Sequence, residues 1–412
     1  MKSSYLLSLA ICLALAVTTP AQTYDTNNIA VQTHAGSGFY GHYDGQGILT
    51  MFNAPTAITA DTSGNLFVYD SGNGLIRKIT PSGTVSTFVG GGNSSPPGYG
   101  TNVSIPSSYY GGRLIMDHSN TLWLITGGDL LRITPNGFVV PQATGMNFVG
   151  GVCVDSANNL YFTRELRIFR YNPSSGESEV FAGSGNPGSR DGNWIFSSFN
   201  SPTALAVDAA DNIYVWDADN RLIRRINQSR DVETIAGTNN IYCYNCDADG
   251  VGFEASFSKV NNLCVDRDGN LLLTCGTSIR KISVATNVVT LAGSFTESGY
   301  ADGPGTEARF KNAYGICAVQ DSIFITDFED HRIRRISFDQ EVEAVAPANL
   351  GLRMLPGLSI TGIVGRTYRI ESCTTLSNWT SEATILLTTS PQTWIDQGAT
   401  TPNKFYRALL LP

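Results

Sequence analysis

The chain has 412 residues and a formal net charge of −8, with 42 glycines and charged residues at 15% of the total. An acidic chain with no run of lysines or arginines argues against nucleic acid or anionic lipid as a partner. Abundant glycine and few charges are typical of a turn-rich β protein. The length exceeds that of one ordinary domain, so it predicts either two domains or a repeat architecture.

A processing signal is predicted at the N-terminus. Lys2 precedes an almost unbroken apolar run from Tyr5 to Val17, and a short stretch of small residues then ends at Ala21. This order is typical of a signal peptide over residues 1–21, cleaved near Ala21. We therefore expect a secreted protein, or one of the periplasm or cell envelope. No later run is long and apolar enough to predict a membrane span.

One unit recurs along the predicted mature chain. Its clearest copy runs from Phe199 to Gly237, and six copies align on the apolar residue that ends an Ile-Arg-Lys/Arg-Ile core. These end residues are Ile79, Ile133, Tyr171, Ile226, Ile282 and Ile336. The successive spacings are 54, 38, 55, 56 and 54 residues. Only the third copy is short, and it lacks the long loop that precedes the others.

Each copy predicts a four-stranded antiparallel meander, with Asp-rich turns such as Asp208–Asn212 joining its first two strands. In the fourth copy the apolar-rich runs are Ala204–Val207, Ile213–Trp216, Leu222–Ile226 and Val232–Ala236. A single sheet of this size cannot bury both of its faces, so the copies must stack around an axis. We predict an all-β fold, with a six-bladed β-propeller over residues 22–346.

The repeat resembles the NHL repeat. Its pattern is P-x-x-[AI]-x-x-D, then G-N-[IL]-[YF]-V-x-D, [LI]-I-R-[KR]-I and V-x-T-x-A-G, and the copies that start at Pro55 and Pro202 match best. The resemblance covers about residues 29–346 and implies a propeller of four-stranded blades. It implies less about function, because NHL-type propellers include protein-binding modules, RNA-binding modules and a few enzymes.

The predicted ring has two candidate closures. Residues Val31–Gly36 look like an outer strand without a blade of its own, and propellers often close by donating such a strand to the last blade. Residues 341–346 are the alternative, since they would complete the sixth copy without the N-terminal strand. We favour closure by the N-terminal strand.

An Asp–Arg column recurs with the repeat, the arginine standing seven residues beyond the aspartate. The pairs are Asp70 with Arg77, Asp217 with Arg224 and Asp327 with Arg334. The second and third copies lose both residues together, whereas the fifth keeps Arg280 and has Cys275 in place of the aspartate. A guanidinium between apolar neighbours needs a carboxylate, so we predict structural ion pairs inside the sheets. A ring of carboxylates for a ligand or metal is the alternative.

Asp-Gly dipeptides form a second column, and a phenylalanine follows each aspartate by eight residues. The aspartates are Asp44, Asp191, Asp249 and Asp302, and the phenylalanines are Phe52, Phe199, Phe257 and Phe310. A fixed turn explains the pattern, with glycine in a left-handed conformation and the phenylalanine anchoring the loop. Calcium is the alternative, but one aspartate per loop falls short of the about six oxygen ligands that it requires. We predict no metal and no cofactor.

The cysteines divide into two groups. Cys153, Cys264 and Cys317 share a column of the innermost strand with Thr59, Ile115 and Ala206. This column predicts small fillers near the axis. Cys243 and Cys246 lie in the loop that enters the fifth copy, on the face that Cys275 also reaches. For an exported chain this spacing favours a local disulfide between Cys243 and Cys246 over a metal site or a redox pair.

The sequence contains no recognisable catalytic constellation. Its four histidines, His34, His42, His118 and His331, sit in four different parts of the repeat and fit no metal-ligand spacing. No G-x-S-x-G elbow, phosphate loop or His-Glu-x-x-His motif is present. The resembling enzymatic propellers, of lactonase and lyase kinds, hold a metal set at the axis, and we cannot place such a set here. An enzyme of that kind is the alternative to a binding role.

The predicted function concerns one face of the propeller. The loops that enter the copies and the loops after each second strand project from this face and carry aromatic residues and histidines. The candidate ligand-binding residues are Tyr40, His42, Tyr43, Trp194, Tyr242, Tyr244, Tyr300 and His331. Exposed aromatics rimmed by Gly, Ser and Asn suit a protein or glycan partner. We therefore expect an exported binding scaffold for an extracellular protein or glycan.

The repeat stops after Pro347, and residues 347–412 predict a separate small β module. Their pattern G-x-x-G-x-T-Y-R-I-E-S, then L-S-N-W and F-Y-R-A, resembles a β-sandwich-like module appended to exported proteins of the Verrucomicrobia. The resemblance implies no chemistry. We expect Trp379, Phe405 and Tyr406 to lie in the core of this module.

Overall fold

The computed structural model describes residues 29–108, 111–145, 149–239, 247–338, 349–353, 357–373, 378–388, 392–394 and 405–411. The chain divides into two compact units, Met1–Phe338 and Asp339–Pro412. The described residues form β-strands and short 3-10 turns and contain no α-helix, so the all-β prediction is confirmed. Within this described part of the chain, no helix is long and apolar enough to cross a membrane. The predicted signal peptide lies outside the described residues.

The described part of the first unit contains six antiparallel sheets, which are numbered in chain order. The strands of each sheet are given from the innermost to the outermost. Sheets 1 and 2 comprise Pro55–Ala60, Leu66–Asp70, Leu75–Ile79 and Thr84–Gly90, then Arg113–Met116, Leu122–Thr126, Asp129–Ile133 and Phe138–Ala143. Sheets 3 and 4 comprise Val149–Val154, Leu160–Arg164, Arg167–Asn172 and Glu177–Ala182, then Pro202–Val207, Ile213–Asp217, Leu222–Ile226 and Asp231–Ala236. Sheets 5 and 6 comprise Asn262–Val265, Leu271–Thr274, Ser278–Ile282 and Asn287–Gly293, then Ala313–Val319, Ser322–Asp327, Arg332–Ser337 and Ala30–Ala35.

The loops that enter the sheets add short structure at the outer edge. Two-residue strands extend every sheet except sheet 3: Gly45–Gln46, Gly98–Tyr99, Gly192–Asn193, Gly250–Val251 and Gly303–Pro304. The 3-10 turns are Gly47–Leu49, Gly100–Asn102, Gly252–Glu254, Gly305–Glu307 and Phe328–Asp330. Sheet 3 has four strands because the third copy lacks the long entering loop, as its spacing indicates.

The six sheets stand in a closed ring. The innermost strands of successive sheets contact one another in chain order, and that of sheet 6 contacts that of sheet 1. One buried apolar cluster fills each space between neighbouring sheets. Between sheets 4 and 5, for example, Trp216 packs against Phe257 with ring centroids 6.0 Å apart. Each sheet therefore buries both faces against its neighbours, which is the packing of a β-propeller.

The N-terminal strand closes the ring. Ala30–Ala35 pairs antiparallel with Arg332–Ser337, with Val31 opposite Ile336. Val31 is 1% exposed and belongs to the apolar cluster between sheets 5 and 6. The predicted closure by the N-terminal strand is confirmed, and residues 341–346 lie outside the described residues.

His34 occupies a bulge in this closing strand. The pairing register shifts between Thr33 and Ala35, which leaves His34 as the extra residue. The same register shift makes Ile235 the extra residue in sheet 4 and Leu291 the extra residue in sheet 5. His34 therefore places an imidazole where those two sheets carry an apolar side chain. The His34 ring lies 5.0 Å from that of Phe324. Burial, with a smaller contribution from Arg335, lowers the pKa of His34 to about 4.

Acid should therefore weaken the closing strand. Because the folded-state pKa of His34 is below the value in the unfolded chain, its contribution to stability is lost as pH falls from about 6.5 toward 4. At pH 5 this loss is on the order of 2 kcal/mol. We expect chemical unfolding at pH 7 and pH 5 to show a smaller acid-induced loss for His34→Gln than for the wild type. Equal losses would show that His34 does not titrate with a depressed pKa.

The turns that join the first and second strands of each sheet link neighbouring sheets to one another. In the Asp208–Asn212 turn, the Asp208 carboxylate accepts hydrogen bonds from the backbone of Ala210 and Asn212, each at 2.9 Å. Adjacent turns are then bridged by backbone N–H groups that donate to side-chain oxygens. These bonds run from Thr62 to Asn120 at 3.2 Å, from His118 to Asn158 at 3.0 Å and from Ser156 to Asp211 at 2.8 Å. The turn residues thus tie sheets 1 to 4 together as well as reversing the chain.

The second unit contains two three-stranded sheets in its described part. Their strands are Asn349–Arg353, Gly357–Thr361, Thr367–Cys373, Thr380–Leu386, Gln392–Trp394 and Phe405–Leu410. The core contains Tyr368 and Ile370, with Tyr406 packed against it. The expectation for Phe405 is wrong, since this side chain is 45% exposed. Trp379 instead packs under Arg407, whose guanidinium lies 4.3 Å from the indole centroid.

Candidate functional site

Arg224 of sheet 4 is fully buried between two carboxylates. Its guanidinium lies 2.8 Å from Asp217 and 2.6 Å from Asp191. It also donates to the carbonyl oxygens of Ser198 and Arg190 and lies 5.2 Å from the ring centroid of Phe199. The Asp–Arg column and the Asp-Gly–Phe column therefore meet at one guanidinium.

Three further sheets repeat this arrangement. Arg77 lies 3.0 Å from Asp70 and 2.5 Å from Asp44, while Arg334 lies 3.4 Å from Asp327 and 2.7 Å from Asp302. In sheet 5, where Cys275 replaces the aspartate, Arg280 lies 2.9 Å from Asp249 and 3.5 Å from Asp247. Asp247 of the entering loop thus supplies the carboxylate that the column lacks, a replacement that the repeat alignment does not reveal.

The protein itself occupies the oxygens of these carboxylates. In sheet 4, Asp217 accepts hydrogen bonds from Asn200 and Asn220 as well as Arg224, and Asp191 accepts two from Thr234. Burial raises the pKa of Asp217 to about 6, against the lowering effect of these donors, and the carboxyl is therefore largely ionised at pH 7. Gly192, beside Asp191, has the positive φ of 109° that the predicted turn requires. Within the described ranges, no group of three or more His, Cys, Asp or Glu is arranged to hold a metal.

The innermost strands surround a narrow apolar channel of about 200 Å³. Cys153, Cys264 and Cys317 line it together with Thr59 and Ala206. All three thiols are free, as is that of Cys275. Burial raises the pKa of Cys317 to about 12, so this thiol stays protonated at neutral pH. Cys243 and Cys246, the predicted disulfide, lie outside the described residues.

The predicted loop residues that the structure describes lie in separate places. Tyr40 and Tyr43 are 76% and 66% exposed, and His42 is also exposed. The Tyr40 ring centroid lies 6.4 Å from that of His331, whose Nδ1 accepts a hydrogen bond from the Ala54 backbone. Tyr40 and His331 thus meet at the junction of sheets 6 and 1, and His42 and Tyr43 lie in the same loop as Tyr40. Tyr242 and Tyr244 lie outside the described residues.

Tyr300 and Trp194 are engaged with arginines. The Arg332 guanidinium lies 3.8 Å from the centroid of Tyr300, which is 45% exposed and hydrogen-bonds to Thr33. Trp194 lies 5.3 Å beneath Arg230 and packs against the apolar cluster between sheets 3 and 4. Both rings therefore support their own loops.

A larger cavity opens at the axis on the same face. This axial pocket has a volume of about 600 Å³ and receives residues from sheets 2, 4, 5 and 6 or the loops beside them. Its principal side chains are Arg113, Trp216, Arg221, Lys259, Asn261 and Tyr314. Arg113 also lines the apolar channel, so the pocket and the channel adjoin at this residue. None of the six predicted loop residues that the structure describes lines this pocket.

Cationic and aromatic groups meet in the axial pocket. The Arg113 guanidinium donates to the carbonyl oxygens of Gly150 and Thr203 and lies 5.5 Å from the Tyr314 centroid. Lys259 is exposed at the rim, and Asn261 is held in place by a 2.7 Å hydrogen bond to the Ala313 carbonyl. Such a mixture of aromatic walls and convergent polar groups is typical of a small-molecule site.

Fold and pocket together define the class of protein as a β-propeller with an axial cavity. No family model matches the chain. Human NHL repeat-containing protein 2 is 24% identical over 340 residues, which cover 78% of this chain and 44% of that protein. The chicken protein of the same name is 22% identical over 333 residues, or 74% and 42% of the two chains. The predicted resemblance to NHL repeat proteins is confirmed, although this chain spans less than half the length of these relatives.

Several solved structures from Bacteroides share the fold. A protein of unknown function from Bacteroides thetaiotaomicron superposes with a TM-score of 0.60 and 21% identity, over 75% of this chain and 76% of that one. An auxiliary nutrient binding protein from the same species gives 0.58 and 19% over the same shares. A further auxiliary nutrient binding protein, from Bacteroides ovatus, gives 0.57 and 14%, over 76% and 77% of the two chains. At these identities the similarity shows the propeller fold alone.

Proposed function

We propose that the chain is an exported binding protein that holds a glycan in the axial pocket. The observation that carries the proposal is the convergence of the half-buried Tyr314 ring with the cationic side chains of Arg113 and Lys259 around about 600 Å³. Sugars are bound by aromatic surface that packs on the ring and by polar groups that pair with hydroxyls, and the volume suits a ligand of one to a few rings. Export rests on the signal peptide predicted over residues 1–21.

Two further observations support a binding role. Two of the similar Bacteroides structures are described as auxiliary nutrient binding proteins, which is compatible with capture of a soluble compound outside the cell. The exposed rings of Tyr40 and Tyr43 lie on the same face, where we propose that they extend contact to a longer glycan or to its protein carrier. The buried Asp–Arg pairs take no part in this proposal, and we assign them to the architecture of the sheets.

A large side chain introduced into the pocket should weaken binding without unfolding the protein. Ala218 lines the pocket, and Ala218→Trp would place an indole inside it. We expect at least a tenfold loss of affinity, on the order of 1.4 kcal/mol, for any glycan that a thermal-shift screen identifies with the wild type. Ala209→Trp, in the exposed turn at the opposite end of sheet 4, is the matched control and should bind normally. Unchanged binding by Ala218→Trp would place the site elsewhere.

A further inference from the structure

We infer that the ligand of the axial pocket is an anionic glycan, whose carboxylate or sulfate is bound by Arg113 and Lys259. The inference rests on the proposed function and narrows it to one class of sugar. The chain as a whole carries −8, yet among the described residues that line the pocket Arg113 and Lys259 bring positive charge and Asp219 brings a carboxylate. This lining is therefore more positive than the molecule as a whole.

Arg113 is oriented for such a ligand. Its described partners are the carbonyl oxygens of Gly150 and Thr203 and the ring of Tyr314, and none of them carries a negative charge. By contrast, the buried Arg224 is matched by two carboxylates. Because these partners are neutral, the half-buried guanidinium of Arg113 retains its positive charge toward the pocket. An anion entering the pocket would therefore gain a charge-assisted partner without displacing an ion pair of Arg113.

Lys259 places a second cation at the rim. It belongs to the segment Ser258–Asn261, which is anchored on both sides of the lysine. The backbone N–H of Ser258 donates a hydrogen bond to Asp247 at 3.0 Å, and the side-chain amide of Asn261 donates one to the Ala313 carbonyl oxygen. The exposed ammonium is thus carried on a fixed backbone while its side chain remains able to adjust.

The exposed part of Tyr314 favours a ligand in which a ring bears the anion. Tyr314 lines the same pocket and is half-buried, and its ring is braced by Phe328, with centroids 5.7 Å apart. A free inorganic anion would use the cations alone, whereas a sugar acid or sugar sulfate would use both the cations and the aromatic surface. The pocket thus combines the two kinds of contact that an anionic saccharide requires.

Calorimetry with charge-matched sugars tests the inference. The probes are trigalacturonate, its neutral counterpart α-1,4-galactotriose and a sulfated galactose oligomer, each titrated into the full chain at low and high salt. We expect at least one anionic probe to bind about tenfold or more tightly than the neutral one, and to weaken as salt rises. The tighter of the two anionic probes then identifies the group as carboxylate or sulfate.

Variants assign the preference to the pocket. Lys259→Gln should reduce the preference for the anionic probe several-fold, Lys259→Arg should restore it, and Lys78→Gln, on a strand of sheet 1, should leave it unchanged. If galactotriose bound as tightly as both anionic probes, the inference would be overturned while the proposed glycan-binding function stood. If none of the three probes bound, the inference would be overturned, and the proposed function would then depend on the wider screen with Ala218→Trp.

Discussion

Replacing Asp217 with alanine is expected to lower the stability of the propeller by about 3–5 kcal/mol, because it leaves part of a buried guanidinium charge uncompensated. Both Asp217 and Arg224 are 0% exposed, and their charged atoms lie 2.8 Å apart. The substitution also removes the acceptor of the Asn200 backbone N–H and of the Asn220 amide. The second carboxylate, Asp191, remains beside Arg224 and limits the loss.

Denaturant unfolding with the wild type as reference measures this effect. Asp231→Ala is the matched control, since Asp231 lies in the same sheet but is exposed, and it should change stability by less than about 0.5 kcal/mol. An unchanged melting temperature for Asp217→Ala would show that the buried pair does not stabilise the sheet. The role of the Asp–Arg pairs as architecture would then be wrong.

Replacing Phe199 with alanine is the second change with a large expected effect, about 3–5 kcal/mol. The ring is 0% exposed, lies in the cluster between sheets 3 and 4 and covers Arg224 at 5.2 Å. Alanine would open a cavity and also remove the aromatic face above the guanidinium. Phe199→Leu keeps most of the volume, so it should lose chiefly the cation–π contact, worth about 1 kcal/mol.

Phe196 provides the control for this pair of variants. It lies three residues earlier in the same loop and is 58% exposed, so Phe196→Ala should leave the free energy of unfolding nearly unchanged. Equal effects at positions 196 and 199 would show that the phenylalanine column does not anchor the loops to the sheets. A neutral Phe199→Leu variant would assign the whole effect of alanine to packing.

Much of the fold follows from the repetition of one unit. The four apolar runs predicted in the fourth copy match the strands Pro202–Val207, Ile213–Asp217, Leu222–Ile226 and Asp231–Ala236 within two residues at either end. The spacing of 38 residues likewise predicts a sheet without an added edge strand. Such features are local, since each strand and turn is encoded in its own segment of the chain.

The partners of the buried arginines could be predicted only in part. The Asp217–Arg224 relation is visible because the two residues vary together among the copies. Asp191 forms an equally regular column, but its contact with Arg224 depends on how the entering loop folds back over the outer strand. In sheet 5, Asp247 replaces a lost carboxylate from a different position altogether, which comparison of aligned columns does not detect.

The axial pocket could not be predicted from the repeat because no single copy contains it. Arg113 opens the first strand of sheet 2, Lys259 precedes that of sheet 5 and Tyr314 belongs to that of sheet 6. Their convergence depends on closure of the ring, which brings segments about 200 residues apart to one axis. The aromatic residues of the loops instead predicted a binding site that includes Tyr40 and Tyr43, at the junction of sheets 6 and 1. A comparison of charged residues at the starts of the innermost strands would have been the more useful signal.

The most direct test of a glycan site at the axis is a crystal structure of the full chain with the tightest glycan from the screen. We predict that the sugar occupies the axial pocket, with a ring against Tyr314 and an anionic group within hydrogen-bond distance of Lys259 or Arg113. Density for the glycan on Tyr40 and Tyr43 with an empty axial pocket would contradict this account. It would favour the loop surface that the sequence alone predicts.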